Sequence, residues 1–143
     1  MPYLLDTNIF NRLIDGTMRL DNLPADAVLY ATHIQIDEIN RTRDHERRAQ
    51  LALRFASVRP TVLPTESAVW DVSRWDHAKW SDGQLLEQLK QRLDTRNKAK
   101  SNNIQDALIA EVAIANGLTL LTADRDLAAV VSELGGSAAA CTK

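Results

Sequence analysis

Five acidic residues stand where an α/β fold would gather them at one edge. They are Asp6, Glu38, Asp106, Asp124 and Asp126. Asp6 follows the apolar run Tyr3–Leu5, and Asp124 and Asp126 follow a second apolar run, Leu118–Leu121; both runs are typical of buried parallel strands. Glu38 and Asp106 fall in the first turns of predicted helices. Because strand ends and helix starts share one edge of a parallel sheet, we expect all five side chains to project toward the same rim.

Each acid also has a simpler structural explanation. Asp6 could cap the next helix, since Asp, Thr7 and Asn8 are all good caps, and acids in first turns stabilise a helix through its dipole. However, Glu38 stands between two isoleucines, and Asp106 interrupts an apolar helix start. Inward-facing acids without neighbouring bases are uncommon as pure structure. The set as a whole therefore favours a functional cluster.

A cluster of carboxylates predicts a divalent cation. Carboxylates within a few ångströms repel each other and take up protons unless a cation is present. Mg²⁺ and Mn²⁺ prefer such oxygen ligands and keep sites for water and for substrate phosphate oxygens. A metal of this kind can activate water and stabilise the leaving oxygen in phosphodiester hydrolysis. The predicted chemistry needs no nucleophilic Ser or Cys.

The apolar pattern predicts the elements that would position these acids. Strands are expected at Tyr3–Leu5, Ala27–Ala31 and Leu118–Leu121, with edge strands at 60–64, which is bounded by prolines, and from Ser137. Helices are expected at Thr7–Asp15, from Thr65, from Ser81, from an Asn103 cap, and at 127–134, with a loop over 94–103. A longer helix is expected at 34–57, after a capping box formed by Thr32 and Gln35, and its polar middle, 40–50, either faces solvent or contains a break. Strands that alternate with helices indicate a parallel α/β sheet with right-handed crossovers. The helical hairpin at about 65–98 reads as an insertion, either a lid or an association surface.

Length and composition set the bounds. A chain of 143 residues with 45% hydrophobic and 25% charged residues indicates one domain spanning 1–143. No apolar run is long enough to cross a bilayer, and the N-terminus lacks the basic start of a signal peptide. Cys141, the single cysteine, excludes an internal disulfide. We therefore expect a cytoplasmic protein with no membrane contact.

Charge is unevenly distributed behind the net value of −2. The segments 41–59 and 90–100 each carry +4, and the rest of the chain carries −10. Either basic run is explained by a solvated helix face, or by contacts to phosphates beside the acidic rim. Trp70, Trp75 and Trp80 recur every five residues, and both base stacking and packing in a core or interface fit this spacing.

The acids fall in four short motifs that resemble those of PIN-domain ribonucleases, and most closely the VapC-type toxin subunits of VapBC toxin–antitoxin pairs. The motifs are Leu5-Asp6-Thr7-Asn8, Ile36-Asp37-Glu38-Ile39, Asp106-Ala-Leu-Ile-Ala110 and Leu121-Thr-Ala-Asp-Arg-Asp126-Leu127. The resemblance implies a three-layer fold, a Mg²⁺ or Mn²⁺ site, endonucleolytic RNA cleavage, a homodimer and a cognate antitoxin. It makes Asp6, Glu38 and Asp106 metal-site carboxylates, with Asn8 and Thr122 in support. The fourth acid is Asp124 or Asp126, and we favour Asp124 because it is nearer the strand end.

Two other functions stay open at this point. The first is a non-catalytic interaction module that keeps the fold and acts through its helical hairpin. The second is a different Mg²⁺-dependent α/β enzyme of phosphoryl transfer. A phosphatase of the haloacid-dehalogenase type would want an acid where Asn8 stands, and no Gly-rich nucleotide loop is present. The complete set of acids argues against the interaction module.

Overall fold

The computed structural model describes residues 2–23, 25–65, 84–98 and 103–140. Their backbone forms one five-stranded parallel sheet with helices on both faces. The strands are β1 (Pro2–Leu5), β2 (Val28–Thr32), β3 (Thr61–Leu63), β4 (Thr119–Thr122) and β5 (Ser137–Ala140), in the spatial order β3-β2-β1-β4-β5. The helices are α1 (Thr7–Asp15), α2 (His33–Asn40), α3 (His45–Val58), α4 (Gln84–Asn97), α5 (Asn103–Ala115) and α6 (Arg125–Glu133).

The sheet separates two hydrophobic cores, which gives the three layers expected from the sequence. Leu4 of β1 and Leu120 of β4 face a core built largely from α4, α5 and α6. Leu5 and Leu121, the next residues along each strand, face a core that contains Phe10 and residues of α2 and α3. Successive side chains of a strand point to opposite faces, so these short strands are apolar throughout because both of their faces are buried.

The helix predicted over 34–57 is broken within its polar middle, which is one of the two alternatives that the sequence leaves open, and the chain forms two helices there. The segment from Arg41 to Asp44 separates α2 from α3. The Asp44 carboxylate accepts hydrogen bonds from the backbone N–H groups of Glu46 and Arg47, at 3.0 and 3.2 Å, and so caps the second helix. The polar stretch that follows Asn40 offers no apolar face to bury, and a local cap breaks the helix there.

The predicted loop over 94–103 is also shorter in the structure, because α4 continues to Asn97. Lys90 and Asp94 form an ion pair of 2.7 Å one turn apart on this helix. Asn103 is the first residue of α5, and its fully buried amide donates to Asp94 and Asn97 at 2.7 and 2.8 Å. The side chain predicted to cap α5 thus links the start of α5 to the last turn of α4 by hydrogen bonds.

The remaining elements agree with the sequence. β3 and β5 are the two edge strands of the sheet, as expected from the prolines around 60–64 and from the tail after Ser137. Residues 66–83 lie outside the described residues, and with them the first arm of the predicted hairpin, Trp70, Trp75, Trp80 and the expected cap at Ser81. Within the described ranges, every helix is too short or too polar to cross a lipid bilayer.

Candidate active site

The ends of β1 and β4 bring Asp6 beside Thr122. The two strands are neighbours, with Leu5 opposite Leu121. The Asp6 backbone N–H donates to the Leu121 carbonyl at 2.9 Å, and the Thr122 hydroxyl donates to Asp6 Oδ2 at 2.7 Å. Asp6 is only 4% exposed although it lies at the end of a strand. This carboxylate is therefore held in a fixed orientation at the carboxyl edge of the sheet.

Asn8 and Thr122, which the sequence predicts as supporting residues, hold the end of β4 in place. The Asn8 amide donates to the Thr122 hydroxyl at 3.4 Å and accepts from the Ala123 backbone N–H at 3.1 Å. The Thr122 hydroxyl also accepts from the Asp124 backbone N–H at 3.0 Å. One hydroxyl thus contacts Asp6 and the backbone of Asp124, so the two acidic segments are fixed relative to each other.

Thr7 links Asp6 to Glu38, a role that the sequence reasoning missed. Its hydroxyl donates to Glu38 Oε1 at 3.0 Å, and its backbone N–H donates to Asp6 Oδ1 at 2.8 Å. From the sequence, a threonine directly after Asp6 indicates only a potential cap. Its position between two acids of the set becomes informative once α1 and α2 are known to start side by side.

Glu38 is positioned by the start of α2. Thr32 and Gln35 form the predicted capping box, in which Gln35 Oε1 accepts from the Thr32 backbone N–H at 2.9 Å. The other end of the Gln35 amide donates to the Leu5 carbonyl at 2.8 Å. Both side chains are fully buried. The first turn of α2 is therefore bonded to the residue that precedes Asp6, and Glu38 follows one turn later.

The two acids perturb each other. Burial and, next, repulsion from Asp6 raise the pKa of Glu38 from its usual 4.5 to about 7, against the smaller opposing effects of the Thr7 hydroxyl and of Arg41. Burial also raises the pKa of Asp6, although hydrogen bonds from Thr122 and Thr7 act in the opposite direction, and the Asp124 charge raises it further. Among the described residues, no Lys or Arg forms an ion pair with Asp6, Glu38 or Asp124. This arrangement has an unmet demand for positive charge.

The two acids after β4 have different surroundings. Asp124 caps α6, and both of its hydrogen bonds, from the N–H groups of Asp126 and Leu127, use Oδ1. Its charge is close enough to perturb Asp6. Asp126 instead faces Arg96, whose Nε lies 3.4 Å from Oδ1. The geometry thus favours Asp124 as the fourth acid of the set.

Asp106 lies in the first turn of α5 and is 6% exposed. Three residues, 116–118, connect the end of α5 to β4, so the helix must run antiparallel to that strand. Its 13 residues span about 20 Å, which carries the first turn back to the carboxyl edge of the sheet. The topology thus places Asp106 on the expected rim, and its participation with Asp6 and Glu38 stays a prediction.

The donor set can be tested against a divalent cation. Within the parts of the chain that the structure describes, no three His, Cys, Asp or Glu side chains are arranged so that they could hold a metal by themselves. Mg²⁺ does not require such a cage, because it is commonly bound through one or two carboxylates, with water and substrate phosphates as the other ligands. Asp6 and Glu38, unpaired with any described base and mutually repulsive, fit this mode of binding.

Comparisons with known proteins are informative at the level of structure. No protein-family model matches the sequence, and no curated protein matches it significantly. The 2.2 Å structure of VapBC-1 from nontypeable Haemophilus influenzae is similar over 100% of both chains, with 20% identity and a TM-score of 0.57. A domain of a functionally unknown protein from Methanocaldococcus jannaschii is similar over 98% of this chain and 90% of that one, with 15% identity and a TM-score of 0.50.

A further solved structure, VapBC-5 from Mycobacterium tuberculosis, a member of the VapBC family of toxin–antitoxin systems, is 20% identical over 97% of this chain and 96% of that one, with a TM-score of 0.49. At these identities a likeness establishes the fold and not the activity. The likeness to VapBC-1 extends over the whole chain, and it agrees with the five parallel strands and flanking helices described above. The chain therefore has the three-layer, PIN-like α/β fold that its sequence predicts.

Proposed function

We propose that this protein is a metal-dependent endoribonuclease and the toxin of a toxin–antitoxin pair. The observation that carries the proposal is the pair formed by Asp6 and Glu38. These acids are fixed by Thr7, perturb each other, and have no ion-pair partner among the described residues. At neutral pH two neighbouring carboxylates repel each other when both are ionised, and a divalent cation would relieve this repulsion.

The residues divide into two roles. Asp6, Glu38, Asp124 and Asp106 would hold Mg²⁺ or Mn²⁺, and Thr7 would keep the first two in position. When bound, such an ion activates water and stabilises the charge of the leaving oxygen in phosphodiester hydrolysis. The half-buried Glu38 carboxyl has a pKa of about 7, so it can lose its proton near neutral pH when a cation arrives.

Two observations support RNA as the substrate and an antitoxin as the partner. The four acidic motifs resemble those of VapC-type ribonucleases in order and spacing. The fold is similar to that of VapBC-1 over the whole chain. We propose by this likeness that a small antitoxin protein neutralises the nuclease and that two copies of the chain form a homodimer.

The proposed activity is tested by RNA cleavage with matched variants. The wild-type protein should cut RNA in Mg²⁺ or Mn²⁺ and lose this activity in EDTA. Asp6→Asn removes one charge from the site and should lower the cleavage rate at least 100-fold, as expected for a ligand of the cation. Asp21→Asn makes the same chemical change at an exposed residue that pairs with Arg19, and it should cleave at the wild-type rate.

Folded, metal-loaded protein that leaves every RNA intact would contradict the nuclease. Cleavage that is the same in Asp6→Asn would contradict the assignment of the site. The homodimer is tested separately by light scattering, which should give a mass of about twice 15.9 kDa. A monomer at micromolar concentration would contradict the homodimer. The antitoxin proposal would be contradicted if no protein encoded beside this one co-purifies with it.

A further inference from the structure

The described arginines fall into two groups according to whether an acid already neutralises them. Arg47 makes a two-pronged contact with the Asp15 carboxylate, at 2.7 and 3.1 Å. Arg92 and Arg96 both contact Glu133, at 2.9 and 3.2 Å. A carboxylate already offsets the charge of these guanidinium groups, so each of them attracts a phosphate less strongly than an unpaired arginine does. Such pairs hold elements together, and most of the second basic run, 90–100, is engaged in this way.

Arg41 belongs to the other group. Its side chain is exposed and forms no ion pair within the described ranges. It ends α2, where its backbone N–H bonds the carbonyls of Asp37 and Glu38 at 3.1 and 3.2 Å. Residues three apart on a helix share a face, so Arg41 lies one turn beyond Glu38 on the same side of the helix. Its charge reaches that carboxyl, since it acts to lower the pKa of Glu38.

An RNA strand that approaches this pocket meets a local excess of negative charge. Asp6, Glu38 and Asp124 all repel a phosphodiester backbone, and a bound divalent ion offsets only part of that charge. An adjacent, uncommitted guanidinium reduces the remaining repulsion. Its planar fork also matches two phosphate oxygens, which a lysine ammonium does not.

We propose that Arg41 is a phosphate-binding residue that holds the RNA backbone beside the acidic pocket, over the junction between α2 and α3. The proposal rests on the proposed nuclease function and deepens it, because it states on which side of Glu38 the strand lies. Lys98 is exposed as well, but no described contact connects it to Glu38 or Asp6. Arg41, by contrast, follows Glu38 on the same helix, and its charge acts on that carboxyl.

The test is RNA binding without cleavage. A fluorescein-labelled, single-stranded 20-nucleotide RNA is titrated with protein in EDTA, and anisotropy gives Kd at several salt concentrations. Arg41→Gln should weaken binding roughly tenfold or more, as expected for the loss of one hydrogen-bonded contact between charged groups. It should also reduce the slope of log Kd against log salt by about 0.7, as for one lost phosphate contact on a single strand.

Two control variants separate the contact from net charge. Arg19→Gln removes the same charge from an exposed arginine that pairs with Asp21, and it should bind like the wild type. Arg41→Lys keeps the charge and should recover most of the salt dependence but only part of the affinity. Equal Kd and equal salt slope for Arg41→Gln and Arg19→Gln would overturn the proposal, as would an absence of RNA binding by the wild type. RNA that binds through Arg41 but is not cleaved in Mg²⁺ or Mn²⁺ would uphold this inference and reject the nuclease.

Discussion

Thr7 shows how a single side chain can organise an acidic site. Its backbone N–H contacts Asp6 and its hydroxyl contacts Glu38, so both carboxylates are oriented by one residue. Neither contact supplies a full positive charge, and the repulsion between the acids persists. Burial, together with this repulsion, keeps the pKa of Glu38 near 7 despite the hydrogen bond. The site is ordered in advance but is electrostatically incomplete.

Because the pKa of Glu38 is raised in the folded protein, the stability of the metal-free protein should depend on pH. The pKa of Glu38 is about 7 in the folded protein and near 4.5 when unfolded. Between about pH 4.5 and pH 7 the folded state binds more protons than the unfolded state, so the free energy of unfolding falls as pH rises through this window. Glu38→Gln keeps the hydrogen bond from Thr7 but cannot ionise. Chemical denaturation in EDTA should show it to be more stable than the wild type at pH 8, by up to roughly 3 kcal/mol, with no difference below pH 4.5.

Two variants make that measurement specific. Glu87→Gln alters an exposed acid of α4, and its effect should stay within about 0.5 kcal/mol at every pH. Thr7→Val removes the hydroxyl that lowers the pKa of Glu38, so the window should move to higher pH, whereas Thr7→Ser should leave it in place. A stability difference for Glu38→Gln that is the same at pH 4.5 and pH 8 would contradict a raised pKa of Glu38 in the folded protein.

At the scale of elements, local signals in the sequence were reliable and tertiary contacts were not visible. The capping box of Thr32 and Gln35 was readable because its residue types and spacing are local. The same Gln35 amide also bonds the Leu5 carbonyl, 30 positions earlier, and no sequence pattern announces that contact. The sequence leaves open whether the helix over 34–57 is broken, and it does not predict that α4 extends to Asn97. The hydrophobic pattern cannot settle either point, because a cap at Asp44 and an ion pair between Lys90 and Asp94 stabilise these helix ends.

Gln35 should consequently be a structural anchor of the site. Gln35→Ala would remove the capping-box acceptor and leave the Leu5 carbonyl without its buried donor, which should cost about 2 kcal/mol of unfolding free energy. Gln50→Ala, at an exposed position of α3, should change stability by less than about 0.5 kcal/mol. Urea denaturation of the two variants provides the measurement. Equal stability would mean that the bond from Gln35 to Leu5 contributes nothing to holding α2 against β1.

At the scale of the whole molecule, the strand order explains why distant acids can meet. β1 lies in the middle of the sheet, with β2 on one side and β4 on the other. Successive strands are added on one side of β1 up to β3 and then on its other side from β4, so the strand order reverses beside β1. Open α/β sheets bind ligands at such a point, outside the carboxyl ends of the strands. The motifs predicted which acids would share that edge. They could not predict the order of the strands, the role of Thr7, or which arginines are already paired with acids.

The most direct test of the cation pocket is Mn²⁺ binding measured by titration calorimetry at pH 8. The wild type should bind Mn²⁺, and Asp6→Asn should weaken binding at least tenfold because it removes a ligand charge. Asp21→Asn should bind like the wild type. Equal Mn²⁺ affinity in Asp6→Asn and the wild type, or no binding by the wild type even with RNA present, would contradict the claim that these acids form one metal site.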